Sequence, residues 1–92
     1  MTDTIIRELK IVNEKGLHAR ASAKLVEVVE GFDATAEVSK DGLSASGDSI
    51  MGLLMLAASK GTSIEVQTRG PDAEALANAI DALVADRFGE AN

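Results

Sequence analysis

His18 is the only histidine in a chain of 92 residues that contains no cysteine. One imidazole with no thiol beside it does not make a zinc-type ligand set, so no metal is expected. Without cysteine there is also no disulfide and no thiolate nucleophile. What remains is what a single ring does: it moves a proton, attacks an electrophile or caps a helix. Its neighbours bear on the choice. Gly16-Leu17 precedes it, a helical period begins at Ala19, and Arg20 stands two residues on. Backbone N–H groups at a helix start have no intrahelical partner. The positive helix end favours the uncharged ring over imidazolium, which leaves a nitrogen lone pair free to attack. The same amides seat an anion, and the Arg20 guanidinium adds a permanent charge of phosphate-compatible shape. These features suit a histidine that accepts and gives up a phosphoryl group. The spacing fits a capping or surface histidine as well. Other chemistries are poorly served: there is no Gly-x-Ser-x-Gly elbow for a Ser/His/Asp site, and no Walker or dinucleotide glycine pattern.

Ser49 is the second residue with chemistry in view. It stands before Ile50-Met51-Gly52-Leu53-Leu54-Met55-Leu56-Ala57-Ala58 and reads as an N-cap. The segment it opens is apolar nearly all round, so it is a short helix that is either buried or a docking surface. Leu53 and Leu56 read as core. Ile50, Met51 and Leu54 read as partner contacts, since methionine adapts to more than one partner. Lys24, one turn beyond Arg20, either pairs with acidic groups on a partner or is simply a solvated lysine.

The elements that must position these residues follow from periodicity. Ile5 to Val12 reads as a strand; Ile5, Leu9 and Ile11 share one parity, and Arg7 interrupts it, as near a sheet edge. From Ala19 to Glu30 the period changes, with Ala21, Leu25, Val28, Val29 and Phe32 on one helical face and Gly31 as the stop. Ala34 to Lys40 alternates, Asp41-Gly42 signals a tight hairpin, and Leu43 to Ser46 returns. Lys60-Gly61 closes the short helix. Ser63 to Arg69 is a further strand with Ile64 and Val66 inward, and Gly70-Pro71 breaks it. Asp72 is placed to cap a last helix whose stripe is Leu76, Ile80, Leu83, Val84 and Phe88, ended by Gly89. The order β-α-β-β-α-β-α predicts an α+β sandwich, an antiparallel or mixed sheet with helices on one face.

Composition narrows the function further. Nine basic against fifteen acidic residues give a net charge of −6, with no basic run, which argues against nucleic acid and anionic membrane surfaces. Phe32 and Phe88 are the only aromatic residues, so no base-stacking platform exists. The longest apolar run is far short of the roughly 18 residues of a membrane span. Met1-Thr2-Asp3-Thr4 does not resemble a secretory leader. The expectation is a cytoplasmic, single-domain protein over 1–92.

Gly16-Leu17-His18-Ala19-Arg20-Ala21-Ser22 resembles the phosphorylation-site signature of the HPr family, the histidine-containing phosphocarriers of the phosphoenolpyruvate-dependent phosphotransferase system. Asp48-Ser49-Ile50-Met51-Gly52-Leu53 resembles the same family's regulatory-serine helix, and the likeness runs from Ile5 to Gly89. The resemblance implies an open-faced β-sandwich, a four-stranded antiparallel sheet with three helices on one face. It implies that His18 takes a phosphoryl group on Nδ1 from enzyme I and passes it to an enzyme IIA domain, with Arg20 contacting the group and no cofactor. It also implies phosphorylation of Ser49 by HPr kinase/phosphorylase. Many relatives have proline where this chain has Ala21, which keeps one more amide donor in the first helical turn. Two relay roles stay open, sugar uptake and a regulatory, nitrogen-related chain. A third reading, from another class, is an interaction module that signals through Ser49 and its apolar helix; His18 speaks against it. A monomer suits a carrier that meets successive partners.

Overall fold

A computed structural model describes residues 4–92. Met1–Asp3, on which the expectation about a secretory leader falls, lie outside the described residues. Strands β1 (Thr4–Lys10), β2 (Thr35–Lys40), β3 (Leu43–Ser46) and β4 (Ser63–Arg69) form one sheet in the order β1-β4-β2-β3, every pairing antiparallel. Helices α1 (Ala19–Glu30) and α2 (Ile50–Met55) link strands, α3 (Ala73–Ala85) follows β4, and a short 3₁₀ turn spans Arg87–Gly89. This is the open-faced α+β sandwich expected from the sequence. β2 and β3 join at Asp41-Gly42, where both residues have positive φ (51° and 84°), as a type I′ turn requires.

Directly paired residues of antiparallel strands share a face. One inward row is therefore Arg7, Val66, Val38 and Ala45, and another is Leu9 and Ile64. Arg7 does not break the alternation. It occupies a core-facing position at the edge strand, where its guanidinium donates to Asn78 Oδ1 (2.9 Å) and Asp81 Oδ2 (3.3 Å) on α3. The opposite face carries Glu8, Ser39, Glu37 and Glu65, which stay in water as charge and hydroxyl.

α1 buries Ala21, Ser22, Leu25, Val26 and Val29, while Val28 and Phe32 pack at the margin. Four expectations are corrected in detail. β1 ends at Lys10 rather than Val12, because Ile11 exchanges backbone bonds with Thr62 and Gly61 ahead of β4 (both 2.8 Å). α2 stops at Met55 rather than Ala58: Ala57 turns left-handed (φ 52°), and Leu56 and Ala58 are buried in that turn, so the apolar run marked burial rather than helix. Asp72 stands at the start of α3 without capping it; its Oδ2 accepts from the Asp33 amide (2.8 Å), tying the helix to the loop before β2. Phe88 is fully buried but lies beyond α3, in the 3₁₀ turn.

Candidate functional site

The loop from β1 to α1 is welded to the chain that follows α2. The Leu17 amide donates to Ala58 O at 2.8 Å. Gly16 has φ 64°, and a Cβ there would lie 2.3 Å from the same Ala58 oxygen, so only glycine fits. Asn13, wholly buried, donates from Nδ2 to Gly16 O at 2.8 Å and fixes the loop from inside. The weld delivers His18 to the N-cap of α1 in extended backbone (φ −79°, ψ −176°). The first helical bond runs from the Ser22 amide to His18 O (2.8 Å), so the amides of Ala19, Arg20 and Ala21 precede any intrahelical partner. The ring makes no capping bond and is half-buried, which frees it to face the surface.

What the ring meets is Glu90. Its Oε2 pairs with His18 Nε2, and its Oε1 accepts from Asn13 Nδ2 at 3.0 Å. The Asn13 bond, then the His18 bond, hold the Glu90 carboxyl below the ordinary carboxylate range; burial pushes the other way, and smaller effects of neighbouring charge, Lys15 among them, add to the lowering. An ionised carboxylate only accepts, so the hydrogen of this bond sits on Nε2, and in the neutral ring the lone pair is at Nδ1. Sequence reasoning missed Glu90. Its only signal was an acidic residue after a helix-stopping glycine, which says nothing about where the side chain lands.

A cleft of about 420 Å³ opens beside the ring, lined by Lys15, His18, Arg20, Lys24 and Glu90 among others. Arg20 and Lys15 are exposed and have no ion-pair partner among the described residues. Lys24 is half-buried and donates to Phe88 O at 2.6 Å, so it is engaged within the protein rather than solvated. Among the described residues no cluster of three His, Cys, Asp or Glu could hold a metal.

On the other side of His18 a second cleft, about 280 Å³, runs to Leu54 past Leu17 and Ala57. Leu53 and Leu56 are buried as expected, Leu54 is half-buried, and Ile50 and Met51 are exposed. Met55, 75% exposed, belongs to the same apolar surface and was not singled out from the sequence. Ser49 caps α2, its Oγ accepting from the Gly52 amide at 3.1 Å. It lies at the far end of α2 from Leu54, about 7.5 Å along the axis at 1.5 Å per residue, and lines neither His18 cleft. The structure thus gathers His18, Arg20 and Lys24 at one cleft and Leu54 at the adjoining one, and sets Ser49, Ile50 and Met51 apart.

The family model for the PTS HPr component phosphorylation site matches residues 5–86. The phosphocarrier protein HPr of Cupriavidus necator is 44% identical over 84 residues, covering 91% of this chain and 94% of that protein. The phosphocarrier protein NPr of Escherichia coli K12 is 40% identical over 88 residues, covering 95% and 98%. Among solved structures, HPr-C-His from Thermoanaerobacter tengcongensis aligns with a TM-score of 0.90 at 32% identity, over 96% of this chain and 99% of that one. Glu90 lies past the last residue that the family model matches.

Proposed function

The chain belongs to the HPr family of phosphotransferase-system phosphocarriers, and on that footing we propose that it relays a phosphoryl group on His18 Nδ1. The observation that carries the reading is the His18–Glu90 pair at the start of α1. Nδ1 attacks the phosphorus of a phosphohistidine on enzyme I. The new Nδ1–P bond forms as the donor's N–P bond breaks, and that bond's electron pair stays on the donor ring. His18 keeps its Nε2 proton, so its ring becomes cationic as the bond forms, and the Glu90 carboxylate stabilises that charge. Arg20 and the first-turn amides receive the phosphoryl oxygens. Passing the group to a histidine of an enzyme IIA domain reverses each step, so the protein carries the group and turns over no small substrate itself.

Similarity to both an HPr and an NPr supports the relay in either a sugar-uptake or a nitrogen-related regulatory chain. The exposed Ile50, Met51 and Met55, with Leu54 next to His18, form the surface on which enzyme I and the enzyme IIA domain dock in turn. A second modification reading applies to Ser49, as a target of HPr kinase/phosphorylase: the residue is partly exposed and directly precedes the exposed Ile50 and Met51. Phosphate there would set about −2 charge on the docking surface beside Asp48 and repel acidic partners. The relay operates as a cytoplasmic monomer, and no helix among the described residues is long and apolar enough to cross a membrane.

The test is incubation with enzyme I and phosphoenolpyruvate, followed by intact mass. One acid-labile phosphate is expected on the wild type and none on His18→Ala; a mass shift that persists in His18→Ala refutes the assignment.

A further inference from the structure

Beyond α3 the backbone runs left-handed for three residues in succession: Arg87 (φ 56°), Phe88 (φ 55°) and Gly89 (φ 78°). For the two that carry a Cβ this conformation is disfavoured, and it persists only where the surroundings over-determine it. Burial of the Phe88 ring is one anchor. The other is Lys24, reaching across from α1 to donate to Phe88 O at 2.6 Å. Its ammonium is pressed so closely on the turn that a Cβ on Gly89 would come within 2.9 Å of Nζ. The next residue is Glu90, whose carboxylate meets His18 Nε2.

We propose that Lys24 is a positioning residue for phosphoryl transfer: through the Phe88 carbonyl it holds the left-handed turn that presents the Glu90 carboxylate to His18. The inference rests on the relay reading and gives Lys24 a role inside the protein rather than on a partner. A docking lysine and a positioning lysine leave different kinetic signatures. Loss of a docking contact raises KM for the carrier and spares kcat. Loss of positioning lowers kcat, because what is weakened is the charge stabilisation made as the N–P bond forms.

The experiment measures steady-state phosphorylation by enzyme I and phosphoenolpyruvate for wild type, Lys24→Met, Lys24→Arg, Glu90→Ala and the double variant Lys24→Met/Glu90→Ala. Lys24→Met is expected to lower kcat about tenfold, within the ~10²-fold that a 1 Å misplacement can cost, with KM essentially unchanged. The His18 Nε2 proton is expected to give a sharp, slowly exchanging proton NMR resonance in wild type and a broadened one in Lys24→Met. Lys24→Arg keeps a cationic donor and is expected to recover most of the rate. In the Glu90→Ala background Lys24→Met is expected to add nothing, because its effect runs through the missing carboxylate. A raised KM with unchanged kcat, or a full tenfold loss on top of Glu90→Ala, overturns the proposal. Should Lys24→Met not fold, Lys24→Gln replaces it in the same cycle and is read the same way. A wild type that takes up no phosphate refutes the relay reading itself, an outcome distinct from failure of the Lys24 cycle.

Discussion

Glu90 and His18 stand 72 residues apart in the chain, and the carboxylate of one closes on Nε2 of the other while Asn13 holds its second oxygen. In the neutral ring, a carboxylate on Nε2 leaves Nδ1 as the nitrogen with the lone pair. Glu90→Ala is expected to slow phosphoryl uptake by about 10- to 100-fold, by analogy with the loss of a partner that orients a metal-bound histidine. Single-turnover transfer from phosphorylated enzyme I checks it. A rate within twofold of wild type would remove Glu90 from the chemistry.

The same carboxylate makes part of the stability depend on pH. The Glu90 carboxyl sits below its ordinary range in the folded protein, chiefly through Asn13 and then His18. Its contribution is thus fully present above the unfolded value of about 4.3 and is lost as pH falls through the folded value. The gap in unfolding free energy between wild type and Glu90→Gln should be flat near neutrality and close as the pH drops below about 4. Urea melts at stepped pH measure it, and a gap that widens in acid contradicts the bridge.

Arg20 is exposed and without an ion-pair partner among the described residues, so Arg20→Ala should leave unfolding within about 0.5 kcal/mol of wild type. Transfer should nevertheless slow by roughly tenfold or more, since a hydrogen bond to a charged group is worth about 1.5–3 kcal/mol. Thermal melts and transfer rates on one preparation separate the two effects.

Gly16→Ala places a methyl group against Ala58 O on a left-handed backbone. The substitution should cost about 1–3 kcal/mol, lowering Tm by at least 4 °C on the scale of about 4–8 °C per kcal/mol for a domain of this size. It should also slow transfer, because the loop it disturbs delivers His18. Gly42→Ala is the reference for a positive φ with open space around it (nothing within 4 Å), and it should leave transfer untouched.

Ser49 allows capping and charge to be separated. Ser49→Ala loses the bond to the Gly52 amide and should cost about 1 kcal/mol with little effect on His18 phosphorylation. Ser49→Asp keeps a capping oxygen but adds charge beside Asp48, so its stability should stay near wild type while phosphorylation by enzyme I slows. Equal phosphorylation rates for Ser49→Asp and wild type would sever the link between the two residues.

Most of the strand and helix pattern was legible because burial alternates where the chain is extended and repeats every three to four residues where it is helical. Val38 and Val66 on the sheet and Leu25 and Val29 on α1 show this plainly. His18 and Arg20 were legible because a glycine loop and a helix start lie next to each other in sequence. Glu90 was not: its location depends on a left-handed turn at Arg87 and Phe88, residue types with no preference for one. Asn13 is a polar loop residue, yet it is buried, because its Nδ2 serves Gly16 and Glu90 rather than water. Lys24 read as surface charge because the carbonyl it binds lies 64 residues away.

The fold-back after α3 also bears on how the protein can be handled. The Glu14 amide donates to Asn92 O at 3.0 Å, which places Asn92 on the wall of the His18 cleft. An affinity tag fused after Asn92 would leave the protein at the mouth through which a phosphoryl donor must approach, and assays on such material would report the tag as well as the carrier. Thr4 lies at the opposite end of β1 from the loop that bears His18, so that end of the strand stands clear of the entrance.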